Sequence, residues 1–165
     1  MEEVVNPKEA KRQASVDAAA FFQTLESESP DDLNMQQRTL TAVSEVDRVC
    51  GGGLVPGSVI LLGGDPGIGK STLLLQVVAK LSQTAPCAYI SGEEALSQLR
   101  LRAQRLGVHQ AHVHMAANHN VLDMMAALTQ LKNLKLVIID SIQTLTHDSI
   151  DSPAGSVSQV RACAH

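Results

Sequence analysis

Eight consecutive residues, Gly64-Asp65-Pro66-Gly67-Ile68-Gly69-Lys70-Ser71, set three glycines, a lysine and a hydroxyl in the spacing G-x-x-x-x-G-K-S. Glycine lets a backbone turn through positive φ and approach a ligand with no Cβ in the way. Successive N–H groups can then point inward as a nest for an anion. A helix beginning near Gly69 adds unsatisfied N–H groups and the positive end of its dipole. Lys70 is placed to reach β- and γ-phosphates and the Ser71 hydroxyl to hold Mg²⁺, which is the chemistry of a nucleoside triphosphate site. The candidate contacts run from Gly64 to Thr72, with Asp65, Pro66 and Ile68 inside the loop. A glycine turn before a buried helix is the plainer alternative. The flanks argue against it, because an apolar run, Ser58 to Gly63, leads in and a helix-patterned run, Thr72 to Leu81, leads out.

Carboxylates supply the second half of such a site. Leu136-Val137-Ile138-Ile139-Asp140 is an apolar run ending in an acid. A carboxylate at the C-terminal tip of a parallel strand lies at the sheet edge where ligands bind, so Asp140 is a candidate Mg²⁺ ligand beside Ser71. Hydrolysis also needs a base near the γ-phosphate and its attacking water. Glu93 follows the strand-like run Pro86 to Ser91 and is the first candidate, with Glu94 second. Both acids could instead stabilise the start of the helix that follows. Ser141, Gln143 and Thr144 come directly after Asp140, and Gln143 is the candidate sensor of the γ-phosphate. His109, His112, His114 and His119 lack the companion ligands of a metal site and read as solvated or packed side chains. Arg100, Arg102 and Arg105 read as a solvated basic face or as partners for acids.

The elements that must position these residues follow from the same pattern. Strands are expected at 59–63, 86–91, 112–116 and 135–140, with helices at 70–82, 93–106 and from Asn118 or Asn120 to about 132. Gly107 supplies a helix C-cap. Alternation of strand and helix means a mostly parallel sheet with right-handed crossovers and helices on both faces. Helix 70–82 is apolar nearly all round and should be deeply buried. Thr41 or Ser44 can cap a short helix ending at Gly51-Gly52-Gly53. That glycine run is a turn and not a second phosphate loop, since no lysine or helix start follows it. Residues 1–40 stand apart: Pro7 to Leu25 can form a helix, and Glu26 to Gln37 is acidic, broken by Pro30, and reads as a flexible linker. The core domain is 41–165, and a last helix start near Gly155 leaves it incomplete, truncated at the C-terminal side.

The balance of residues narrows the class further. Aromatics are 2% of the 165 residues against 44% apolar overall, so the core must be aliphatic. A net charge of −4 argues against a strongly basic nucleic-acid surface over the whole chain. Cys50, Cys87 and Cys163 are far apart and form no C-x-x-C pair, so no zinc site or disulfide framework is expected, and a reducing, cytoplasmic setting (bacterial cytosol or organelle matrix) fits. No run approaches the ~20 apolar residues that span a bilayer, and no membrane association is expected.

Three stretches, DRVCGGGLVPGSVILLGGDPGIGKSTLLLQ, YISGEEALSQLRLRAQRLGV and VIIDSIQTLTHDSIDSPAGSVSQVR, resemble the ATPase core of the bacterial RadA (Sms) DNA repair proteins. The resemblance covers about Thr41 to Ala162 and implies a RecA-like P-loop fold. It implies an ATP hydrolase that works on single-stranded or branched DNA as a homo-oligomeric ring, driving branch migration in recombinational repair. By position it gives Lys70, Ser71 and Asp140 to ATP and Mg²⁺ and Glu93 to catalysis, and it makes Thr146 to Ser158 the loop that faces DNA. Asp148 and Asp151 make that loop acidic, so charge alone would bind phosphate poorly, leaving hydroxyl and backbone contacts. The family's four-cysteine zinc module is expected before residue 1, and its later strands, its Lys-Asn-Arg-Phe-Gly motif and its Lon-protease-like domain after residue 165. Cys50 stands where an aliphatic residue is expected. Two other readings remain: a truncated nucleotide-binding module without turnover, and a RecA-like signalling ATPase that does not act on DNA.

Overall fold

The computed structural model describes residues 38–164. In chain order the elements are α1 (Ser44–Val49), α2 (Lys70–Leu81), β1 (Cys87–Ser91), α3 (Leu96–Arg105), β2 (Val113–Ala117), α4 (Val121–Leu128), β3 (Leu136–Asp140), a 3₁₀ turn (Ile142–Thr144) and α5 (Val157–Cys163). The expected helix at 7–25 and the linker at 26–37 lie outside the described residues.

β1 is the axis of the sheet. The strand order is β2-β1-β3, and both pairings are parallel. Cys87 sits opposite Val113 and Leu136, and Ser91 opposite Ala117 and Asp140, so the three strands end level with one another. β1 is buried along its whole length, as a central parallel strand must be. Its alternating side chains feed two cores. Cys87 and Tyr89 join Leu75, Val78 and Leu81 of α2, Leu99 and Ala103 of α3, and Ile138 of β3. Ile90 points the other way and packs with Met124 of α4 and Leu145. Helices therefore cover both faces, with α2 and α3 on one and α4 on the other.

Local signals explain where these elements begin and end. α2 buries Leu75, Val77, Val78, Ala79 and Leu81, in keeping with its apolar circumference. Asn120, not Asn118, caps α4, accepting from the Leu122 and Asp123 amides, while Asn118 Oδ1 accepts from the Asn120 amide. α3 starts three residues later than expected, because Ser91 Oγ accepts from the Glu93 and Glu94 amides and holds 92–94 in a turn. α1 is capped by neither expected residue: Val43 holds the cap position, and Thr41 Oγ1 accepts from the Val43 amide while donating to Asp47 Oδ1. Arg38 fastens the glycine run, donating to Cys50 O at 2.7 Å and Gly53 O at 3.2 Å, and Thr39 pairs with Leu54.

One expected strand is not formed. Val59 to Gly63 lies outside the sheet, with Val59 97% and Leu61 84% exposed. Apolar composition favours a strand only when a neighbour supplies the hydrogen-bond ladder. β3 is at the end of the strand order, yet no described residue pairs with its free edge or with this run. Its own Val137 and Ile139 are 37% and 41% exposed.

Truncating a residue of the first core should show how much it carries. Leu99 is fully buried, and Leu99→Ala is expected to lower unfolding stability by about 2–5 kcal/mol in urea titration. Leu101→Ala on the exposed side of the same helix should cost less than about 0.5 kcal/mol.

Candidate nucleotide-binding site

The glycine-rich loop leads directly into α2. Gly69 occupies the N-cap position with φ 104°, a conformation that a side chain would strain. Leu73 is the first residue to close a helical bond, donating to Gly69 O at 2.9 Å, so the amides of residues 70–72 precede the helical ladder. Lys70 folds back over the loop, its Nζ donating to Gly64 O at 2.7 Å and Asp65 O at 2.9 Å. Gly64 to Gly69 is exposed throughout, and Lys70, Ser71 and Thr72 are half-buried.

The carboxylates meet at the level ends of the strands. Asp140 closes β3 opposite Ser91, the last residue of β1. The Gly92 amide donates to Asp140 O at 2.9 Å, extending the pairing by one residue beyond the strands. The two turns are then tied by side chains: Ser141 Oγ donates to Glu93 Oε1 at 2.6 Å. Tyr89 OH donates to Asp140 Oδ2 at 2.5 Å. Glu94 is engaged elsewhere, in an ion pair with Arg102 on α3. Glu93 is exposed and Asp140 half-buried, so one acid is open to solvent while the other is partly sheltered. Gln143 is exposed in the 3₁₀ turn just after them. A shallow cavity of about 180 Å³ opens beside this edge, lined by Ser91 to Ala95 and Ala117 to His119.

Sequence reasoning passed over three residues that build this arrangement. Tyr89 is the only tyrosine of the chain and is fully buried; a buried hydroxyl needs a partner, which was the available signal. Gly92 is required by close approach, since a Cβ there would lie 2.0 Å from Thr144 Oγ1 and 2.9 Å from Thr144 Cβ. Gln159, 2% exposed, organises the loop after the 3₁₀ turn. It accepts from the His147 amide at 2.8 Å and donates to Ile150 O at 2.9 Å and Ser152 O at 3.0 Å. No pattern in the sequence announced it.

The remaining candidates stay apart from the site. His109, His112, His114 and His119 are exposed. Of the three arginines, Arg102 is paired as described, while Arg100 and Arg105 are exposed. Cys50, Cys87 and Cys163 are free thiols, and burial pushes those of Cys87 and Cys163 upward. Among the described residues no helix is long and apolar enough to cross a membrane.

The donor set suits a hard divalent cation. Among the described residues there is no group of three or more His, Cys, Asp or Glu placed to hold an ion. Ser71 and Asp140 are hard oxygen donors, and Mg²⁺ is ordinarily held by one or two carboxylates, waters and the substrate's own phosphates. The residues present therefore fit Mg²⁺ brought with a nucleotide.

A glycine-rich loop heading a buried helix, packed on a parallel sheet that ends in a carboxylate, defines a P-loop nucleoside triphosphatase. Residues 26–164 match the family described as AAA domain, and the chain belongs to that family of P-loop ATPases, with a RecA-like fold. Its relatives carry the name DNA repair protein RadA. That of Rickettsia bellii is 48% identical over 94% of this chain and 34% of its own length. That of Brucella abortus is 54% identical over 77% of this chain and 28% of its own. That of Bacillus subtilis is 42% identical over 99% of this chain and 36% of its own. The chain thus spans about a third of the length of the curated relatives it matches.

The contact at Gly92 gives a direct test of this geometry. Gly92→Ala must displace Thr144 and is expected to cost roughly 1–3 kcal/mol of stability. Adding Thr144→Gly should restore much of the loss, measured by thermal unfolding, whereas Thr144→Ser should not, because Cβ itself is too close.

Proposed function

We propose that the chain is the ATP-hydrolysing core of a DNA repair and recombination protein that acts on single-stranded or branched DNA. The observation that supports hydrolysis is the 2.6 Å bond from Ser141 to Glu93, which holds the acid after β1 beside the end of β3 where Asp140 sits; the names of the relatives support the DNA repair part. A phosphate loop alone serves many reactions; a loop with a strand-tip carboxylate and an adjacent exposed acid suits attack of water on a γ-phosphate.

In this mechanism the backbone N–H groups of 67–72 cradle the phosphates and Lys70 exchanges its loop carbonyls for the β- and γ-oxygens. Ser71 and Asp140 would hold Mg²⁺, which would supply positive charge to the phosphates. Glu93 takes a proton from water as the water oxygen attacks the γ-phosphorus. The bond from that phosphorus to the bridging oxygen breaks, and ADP and phosphate leave. Gln143, exposed beside the acids, reports loss of the γ-phosphate to the loop beyond, and Thr146 to Ser158 contacts DNA. The working form is a homo-oligomeric ring in the cytoplasm.

A second reading, a module that holds nucleotide without turning it over, is favoured by one observation. The run 59–63, which should anchor the phosphate loop to the sheet, is unpaired. Turnover separates the two readings.

Lys70→Ala is expected to abolish nucleotide binding or hydrolysis with little change in melting temperature, because Lys70 contacts only loop carbonyls. Unchanged ATP affinity in that variant removes the loop assignment. Glu93→Gln keeps an acceptor for Ser141 and should bind ATP normally while losing about 10²-fold or more in turnover. In the wild type, single-stranded DNA should raise the ATPase rate; a rate indifferent to DNA would favour the signalling alternative.

A further inference from the structure

We propose that Tyr89 is a positioning residue for the nucleotide-bound metal: its hydroxyl fixes the orientation of the Asp140 carboxylate, leaving Oδ1 to face the ligand. This rests on the reading of Asp140 as the Mg²⁺ ligand.

Tyr89 and Asp140 lie on neighbouring parallel strands. Tyr89 is in register with Ile138, and Asp140 lies two residues further along on the same face, within the diagonal reach of a long side chain. The tyrosine ring is fully buried in the core with Val78, Leu99 and Ile138, so its two side-chain torsions are fixed by packing. The donor is therefore rigid, while the acceptor terminates an edge strand and is half-buried. A bond of 2.5 Å from hydroxyl to carboxylate is of the short, charge-assisted kind. Among the described residues Oδ2 accepts this bond and Oδ1 accepts none.

A phenylalanine would fill the same core space. The hydroxyl adds polar desolvation that only its single partner offsets, and that partner is the carboxylate at the ligand edge. Hydrogen bonds to metal ligands of this kind change metal affinity by roughly 10–100-fold when removed.

The test is a Mg²⁺ titration of fluorescent-ATP binding by the whole chain. Tyr89→Phe is expected to raise the half-saturating Mg²⁺ concentration about tenfold while leaving affinity for metal-free nucleotide unchanged. In an Asp140→Asn background, adding Tyr89→Phe should shift nothing further, whereas a merely structural role would lower affinity in both backgrounds and with or without metal. A Tyr89→Phe titration matching wild type, in a protein where Asp140→Asn does shift, overturns the role of Tyr89 alone. An Asp140→Asn titration matching wild type overturns the Asp140 reading itself, and the proposal with it. A second measurement needs no substitution at Tyr89. As the lone tyrosine, it gives a single ¹⁹F resonance after 3-fluorotyrosine labelling. Adding Mg²⁺ to the ATP-bound chain should move that resonance, and should not do so in Asp140→Asn; a resonance indifferent to Mg²⁺ overturns the proposal.

Discussion

The parallel pairing of β1 with β3 is the constraint on which the site depends. Its register places Ser91 beside Asp140, and one more backbone bond, from the Gly92 amide, carries the alignment past the strand ends. Two turns from distant parts of the chain are thereby forced to share one small space. Gly92 is glycine because Thr144 already occupies the position of its missing Cβ. Ser91 spends its hydroxyl on the Glu93 and Glu94 amides, which turns the chain so that Glu93 meets Ser141 while Glu94 goes to Arg102. A one-residue slip would reverse the face of every side chain on β3 and separate these partners. Backbone geometry, more than any attraction between charges, assembles the acids.

Much of this was legible in the chain because it depends on local pattern. The short apolar runs of β1 and β3 mark strands, although only β1 is buried throughout, and the apolar circumference of α2 marks a helix whose second half enters the core. The loop 64–71, Asp140 and Glu93 are candidates on sequence alone because glycine spacing and strand-tip position carry chemical meaning without coordinates. What was not legible depends on contacts between segments far apart in sequence. The bond from Tyr89 to Asp140 spans 51 residues and that from Ser141 to Glu93 spans 48. α3 starts later than its local pattern suggests because Ser91, a strand residue, satisfies amides that the first turn of a helix would otherwise present.

The run 58–63 shows the same limit from the other side. By composition it reads as a strand, yet Val59, Ile60, Leu61 and Leu62 face solvent. Propensity describes a side chain's fit to a pleated surface, and that surface exists only when a neighbouring strand makes it. β3 likewise leaves Val137 and Ile139 partly open at the edge of the sheet. Exposed apolar segments and an open strand edge are both features that folded proteins ordinarily cover.

The loop after the 3₁₀ turn shows how a polar segment can be made rigid without a core. Gln159 is buried, and its single amide group serves the His147 amide and the Ile150 and Ser152 carbonyls. Asn120 Nδ2 donates to Asp148 Oδ1, tying the same loop to the cap of α4. Asp148 is thus neutralised in hydrogen-bonding terms but not in charge, and Asp151 adds a second negative group nearby in sequence. A surface of that sign repels a phosphate backbone at long range. If the loop contacts DNA as proposed, attraction must come from elsewhere in the assembled protein. The loop itself would then contribute shape, backbone groups and the hydroxyls of Ser152, Ser156 and Ser158, which here bond to one another. Contacts of that type position a nucleic acid without setting the salt dependence of its binding.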